Sequence, residues 1–232
     1  MKLAIMQPYF FPYIGYYQLI AAVDLFVVYD NIKYTKKGWI NRNRMLQNGK
    51  DVVFSLPLKA ASDFLHVDQR ELSADFRRDK LLAQFEGAYR RSPFFKQVFP
   101  LLEEIINFDD PNLFSYLYNA ISKTCAFLDI KTKLVKSSEV DIDHDLKAQE
   151  KVIALSKAVG ADTYINAIGG TELYDRAEFR GQGIDLSFLK AKPFEYAQFD
   201  SDFVPWLSII DVMMFNGSET LSTTVRQGYE LV

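Results

Sequence analysis

Residues 1–30 read MKLAIMQPYFFPYIGYYQLIAAVDLFVVYD, and their periodicity decides the fold. An apolar run over 3–6 predicts a strand. Residues 7–12 form a turn dense in rings and prolines: Gln7, Pro8, Tyr9, Phe10, Phe11, Pro12. Residues 13–22 carry Ile14, Tyr17, Leu19 and Ile20 at helical spacing, and a second apolar run over 25–29 ends on Asp30. A short helix between two strands implies a parallel pair with a right-handed crossover. The loop after the first strand then lies at the carboxyl edge of the sheet, where such folds bind ligands. Residues 7–15 are therefore the first candidate site.

Outward from that unit, residues 31–50 are polar and basic. Trp39 and Ile40 open a strand reading, Asn48–Gly49 is a hairpin signal, and 51–56 is the returning strand, stopped by Pro57. Residues 65–72 read as another short strand. Three helical patterns follow over 75–89, 92–106 and 111–128, with Pro100 kinking the second or marking its true start. Together they read as a helical insertion at about 75–128. Strands are expected over 130–135, 163–166 and 184–189. A helix is expected over 145–158 closing on Gly160, a short one over 171–174, and a buried one over 203–215. Strand–helix–strand order at both ends gives an α/β fold class: one domain over 1–232 with a mainly parallel sheet and the helical insertion.

Composition narrows the function classes. The 232 residues are 49% hydrophobic and carry a formal net charge of −3, so the strongly basic footprint of a nucleic-acid binder is missing. The single cysteine rules out an internal disulfide framework and suits a reducing compartment. No apolar run approaches the roughly 18 residues of a membrane helix, and the expectation is a cytoplasmic protein without a membrane span. Aromatics reach 15%, with 13 tyrosines whose polar ends suit flat or hydroxylated ligands.

The side chains for covalent chemistry are few. His66 and His144 read as edge residues, and Cys125, beside Ile121 and Leu128, reads as a buried structural thiol. No Cys/His cluster has zinc spacing, so no metal site is expected. Three polar clusters remain. Gln7, Tyr9, Tyr13 and Tyr16 form the first. Trp39, Asn41, Arg42, Asn43 and Arg44 form the second: guanidinium forks suit phosphate, and an indole stacks on rings. Asn166, Gly169 and Gly170 form the third, where a strand end runs into a helix start and amides can hold an anion. Their convergence in one cleft is expected. Asp30, at a strand's carboxyl end, is the candidate general base, with the capping of the next turn as the alternative. Asp211, in the apolar C-terminal helix, is expected to pair with a buried arginine.

Two resemblances add to this reading. Residues 13–16, Tyr-Ile-Gly-Tyr, resemble the HxGH turn of the nucleotidyltransferase superfamily, with the glycine kept and both histidines replaced by tyrosine. That likeness covers some thirty residues and speaks for a nucleotidyltransferase-like N-terminal unit rather than for adenylyl transfer. A wider one rests on MQPYFFPYIGYYQLI, Asp24, Asp30 and GWINRNR, then on Tyr164, Ile165 and Asn166, on Gly169 and Gly170, and on Tyr196 to Gln198 through Pro205 and LSIID. Those strings resemble the WbqC-like protein family. The resemblance implies bacterial surface-polysaccharide (O-antigen) biosynthesis, with amide, acyl or aminoacyl transfer onto a nucleotide-activated amino sugar. A non-catalytic protein binding a sugar nucleotide or a partner enzyme is the other implied class. An acyl-adenylate route would bring ATP as cosubstrate.

Overall fold

The computed structural model describes residues 1–199 and 202–232. The N-terminal stretch forms β1 (Lys2–Met6), α1 (Ile14–Ala21) and β2 (Leu25–Val28). The two strands pair in parallel, from Leu3 beside Leu25 to Met6 beside Val28. Next come β3 (Arg42–Gln47) and β4 (Lys50–Ser55), an antiparallel hairpin. Asn48 and Gly49 turn it with φ of 52° and 73°, the paired positive values that an Asn-Gly turn supplies at low cost.

Three helices follow: α2 (Arg78–Tyr89), α3 (Phe95–Ile106) and α4 (Leu113–Phe127). Asn112 caps α4 by accepting from the Ser115 N–H at 3.0 Å. The rest alternates: β5 (Lys133–Lys136), α5 (Ala148–Ala158), β6 (Thr163–Ala167), α6 (Arg176–Gly181), β7 (Asp185–Ala191), α7 (Ile209–Phe215), α8 (Ser218–Gln227) and β8 (Tyr229–Leu231). Gly160, at φ 71°, closes α5, and the Ala161 N–H returns to the Ser156 carbonyl at 2.8 Å.

The main sheet has six strands in the order β5-β2-β1-β6-β7-β8, parallel except for β8. From β1 the chain fills one side, then crosses to β6 and fills the other. The order reverses between β1 and β6. Side chains alternate between two buried faces. Ala4, Phe26, Val28 and Ile165 join the core formed with α1–α4 and α7, while Leu3, Ile5, Val27 and Tyr164 pack with α5 and α6. The helices from 75–128 thus share one core with the sheet face they cover.

The structure departs from the periodicity reading in several places. Residues 65–72 make no ladder. The N–H groups of Val67 and Asp68 bond the carbonyls of Ile32 and Asp30, that of Leu72 bonds Pro111, and Val67–Gln69 is a 3-10 turn. The final buried helix begins at Ile209 rather than 203. Pro205 keeps Val204 out of the helical region, Trp206 sits at φ 60°, and Ser208 caps the Ile210 N–H at 3.2 Å. Helix α3 starts at Phe95 and runs through Pro100. Residues 168–173 form a 3-10 turn, and α6, α8 and β8 lie where no periodic signal stands out.

Asp211 corrects another expectation, since its partners are not arginines. Buried in α7, it accepts from Tyr89 Oη at 2.9 Å, Tyr196 Oη at 2.7 Å and Gln198 Nε2 at 2.7 Å. Tyr89 Oη also accepts the Leu46 N–H at 2.9 Å, so one carboxyl ties α7 to α2 and β3. Burial outweighs these bonds and raises the carboxyl above its ordinary 3.8. Asp211→Ala strands three donors inside the protein and is expected to cost about 3 kcal/mol or more in urea unfolding. The native state also holds this proton more tightly than the unfolded chain, so the carboxyl's contribution is full below the unfolded pKa and declines as pH rises through the native one. The melting temperature of the wild type, relative to Asp211→Asn, should therefore fall as pH rises above about 4. A relative rise would show that the carboxyl is held ionised.

Candidate functional site

A cleft of about 980 Å³ opens at the carboxyl ends of β1, β2 and β6, at the reversal between β1 and β6. Open α/β sheets bind ligands at such reversals. It draws from all three polar clusters: Gln7, Tyr9, Tyr13 and Tyr16, then Trp39, Asn43 and Arg44, then Asn166, Gly169 and Gly170. Asn41, Arg42 and Asp30 do not line it.

The turn after β1 forms one wall because its backbone is latched from two sides. Asn43 Nδ2 donates to the carbonyls of Phe10 at 3.2 Å and Phe11 at 2.9 Å. Ser208 Oγ donates to the same Phe11 carbonyl at 2.8 Å, and the Ile209 N–H reaches Pro12 at 2.9 Å. Phe11 itself sits at φ 45°, a costly conformation for a side-chain-bearing residue, and the latches together with its buried ring hold it there. Behind this turn Tyr16 Oη donates to the Gln7 carbonyl at 3.1 Å, and Gln7 Nε2 donates to Tyr9 Oη. Burial raises the phenols of Tyr9, Tyr13 and Tyr16, so all three remain protonated, neutral hydrogen-bonding groups at neutral pH.

In the second cluster, Trp39 is 42% exposed at the mouth, with the guanidinium carbons of Arg42 and Arg44 at 5.6 and 5.7 Å from its ring centre. Arg42 spends its fork on the Gly38 and Lys37 carbonyls at 3.0 and 2.7 Å. Arg44 bonds Asp51 and the Trp206 carbonyl, both at 3.1 Å. Asn41 accepts from Tyr34 Oη and donates to the Leu56 carbonyl, both at 2.8 Å. These side chains brace the loop that carries Trp39.

Asp30 lies behind the wall, 3% exposed. Its carboxylate accepts from Ser137 Oγ at 2.6 Å, the Ser138 N–H at 3.0 Å and Ser138 Oγ. Ser137 Oγ also lies 2.8 Å from Asn31 Oδ1, and Asn31 Nδ2 lies 2.9 Å from His144 Nδ1. His144 Nε2 lies 3.1 Å from the Val140 carbonyl, which assigns the proton to Nε2 and the lone pair on Nδ1 to Asn31. Both histidines, read from sequence as edge residues, line the cleft. Lys151 also lines it and escaped the sequence reading; a lysine among the polar residues of an amphipathic helix carries no signal until the packing is known. Cys125 is buried and does not line the cleft, its thiol pushed up to about 12 by burial. Among the described residues no group of three or more His, Cys, Asp or Glu could hold a metal ion.

The WbqC-like family description matches residues 7–223, which contain the cleft wall from Gln7 to Trp206. The chain belongs to the WbqC-like protein family. Among its relatives is Rv1507c, an uncharacterized protein of Mycobacterium tuberculosis, 28% identical over 223 residues that cover 94% of this chain and 95% of the relative. No solved structure matches it.

In this WbqC-like chain two glycines set the shape of the cleft. A Cβ on Gly15 would lie 2.3 Å from the Tyr13 ring, and one on Gly170 would lie 2.3 Å from Asn166 Nδ2. The Tyr13 ring meets Trp206 edge-on, with centroids 6.1 Å apart. Both tryptophans of the chain line the cleft, so intrinsic fluorescence reports on it. Gly15→Ala is expected to push the Tyr13 ring aside and shift the emission, and the shift should vanish in a Trp206→Phe background. A shift that survives Trp206→Phe would place the disturbance elsewhere.

Proposed function

We propose that the cleft binds a nucleotide-activated amino sugar, and that the protein transfers an acyl or aminoacyl group to its amine in surface-polysaccharide biosynthesis. The observation that carries the binding half is electrostatic. The lining includes four cations, Lys33, Arg44, Lys147 and Lys151, against one carboxylate, Asp145, on a chain of net charge −3. A basic, ring-lined cleft on an acidic protein selects a compact anion attached to flat or hydroxylated groups. A nucleoside diphosphate sugar has that composition, and a cleft of about 980 Å³ accommodates one. The family supplies the transfer half of the reading. In it the neutral phenols of Tyr9 and Tyr13 hydrogen-bond the sugar or the acyl oxygen, and Trp39 stacks on a ring. Asp30 acts as a positioning residue, since its carboxylate holds Ser137 and Ser138.

The engagement of Asp30 and of both His144 nitrogens favours a second reading, in which the cleft binds the sugar nucleotide for a partner enzyme without turnover.

A thermal-shift series with uridine and thymidine diphosphate sugars, amino and non-amino, with and without ATP, tests the binding half. A ligand at about 100 times its dissociation constant should add about 2.7 kcal/mol, or about 5–10 °C for a chain of this size. An amino-sugar nucleotide should give the largest shift, and Trp39→Ala should reduce it. Equal shifts for amino and non-amino sugars would remove the amine from the reading. Incubation of the best ligand with acyl donors, followed by mass spectrometry, separates the readings: a new amide supports transfer, and binding without product supports the carrier.

A further inference from the structure

Lys151 stands apart from the other cleft cations in its burial. It is 4% exposed, in the first turns of α5, and it lines the cleft. Its ammonium donates to the His144 carbonyl at 2.9 Å and lies 5.1 Å from the centre of the Tyr29 ring. Among the described residues no carboxylate forms an ion pair with it. Asp30, Asp145 and Asp143 favour its charge from further away, and burial opposes it more strongly. A cation near a helix N-terminus also faces the positive end of the helix dipole. Burial without an ion-paired counter-ion and an adverse dipole both cost stability, and the carbonyl, the ring and the more distant carboxylates offset that cost only in part.

Both features suit an anion. The start of α5 lies on the cleft, where Lys147 and Ala148 line the wall and Lys147 offers no side-chain cap to the first amides. Glu150 shares this turn but is exposed and outside the cleft. Asn166 supplies an independent observation. It is 5% exposed at the end of β6, its Oδ1 accepts the Ala167 N–H at 2.9 Å, and its Nδ2 has no acceptor among the described residues. Nδ2 occupies the space that the missing side chain of Gly170 leaves open. Asn166 lines the cleft, so this amide donor of a nearly buried side chain is left for whatever the cleft holds.

We propose that Lys151, the start of α5 and Asn166 Nδ2 form the phosphate subsite of this cleft, built for the diphosphate of the ligand. Arg42 and Arg44, the forks that suit phosphate from sequence, already have protein acceptors. This assignment deepens the sugar-nucleotide reading by naming where the phosphates lie, and it stands or falls separately from the sugar.

The test uses inorganic pyrophosphate and uridine diphosphate, with sulfate at equal ionic strength as control, on the whole protein. Lys151→Met keeps the length and removes the charge. The free variant should melt no lower than the wild type, because an apolar chain replaces an unpaired buried charge. Its affinity for pyrophosphate should fall about 10- to 100-fold, as expected for a lost charge-assisted bond. Asn166→Ala, and Gly170→Ala through displacement of the amide, should weaken it severalfold. A markedly lower melting temperature for free Lys151→Met would make the ammonium structural and overturn the proposal. So would unchanged pyrophosphate affinity, or a sulfate effect as large as that of pyrophosphate. Uridine diphosphate lost in Lys151→Met, with no amino-sugar derivative binding better than the diphosphate alone, would keep the subsite and defeat the sugar reading. A sugar nucleotide bound equally by wild type and Lys151→Met would do the reverse.

Discussion

The carbonyl of Phe11 is the point through which three parts of the molecule are joined. It accepts one hydrogen bond from the hairpin, through Asn43, and one from the cap of α7, through Ser208. With Phe10 N–H bound to Ile40 and Pro12 bound to Ile209, the turn after β1 is held on both sides. Without these bonds the strained φ of Phe11 would have nothing to oppose its relaxation, and its ring would lose its edge contact with Phe85. This turn supplies Gln7, Tyr9, Pro12 and Tyr13 to the wall of the cleft.

The sheet contributes position and the turn contributes shape. Reversal of strand order between β1 and β6 leaves a gap at the carboxyl edge, and the neighbouring loops bring rings and cations to it. Charge is then distributed unevenly over an acidic chain. Several expected binding residues serve this arrangement indirectly: Asn41 and Arg42 hold the loop, and Asn43 holds the turn. The residues that line the gap include the neutral phenols of the turn after β1 and two lysines at the start of α5.

The fold was largely legible in the chain, and the reason is local. Parallel strands buried on both faces read as apolar runs, and Asn-Gly and Gly160 punctuate them with conformations few other residues adopt. What escaped was structure decided by distant partners. Residues 65–72 have strand-like composition, yet their amides go to Ile32, Asp30 and Pro111. Helix α8, with its run of Ser and Thr, buries only Leu221, Thr224 and Val225. At the site, polar residues beside strand ends were readable as a cluster, but not which of them spend their hydrogen bonds on the backbone. Asp211 was visible as an oddity in an apolar helix; its tyrosine and glutamine partners come from 122, 15 and 13 positions away.

The latch on Phe11 spans 197 positions of sequence. On a growing chain the first strand, turn and helix leave the ribosome well before Ser208 and Ile209. Until they arrive, the Pro12 carbonyl lacks its partner and that of Phe11 has half of its support. Trp206, which completes one wall, arrives at the same late stage. A chain made only as far as α6 can therefore pair β1, β2, β5 and β6 but lacks the latch that holds the turn, so the finished cleft depends on a segment made long after the wall it fixes.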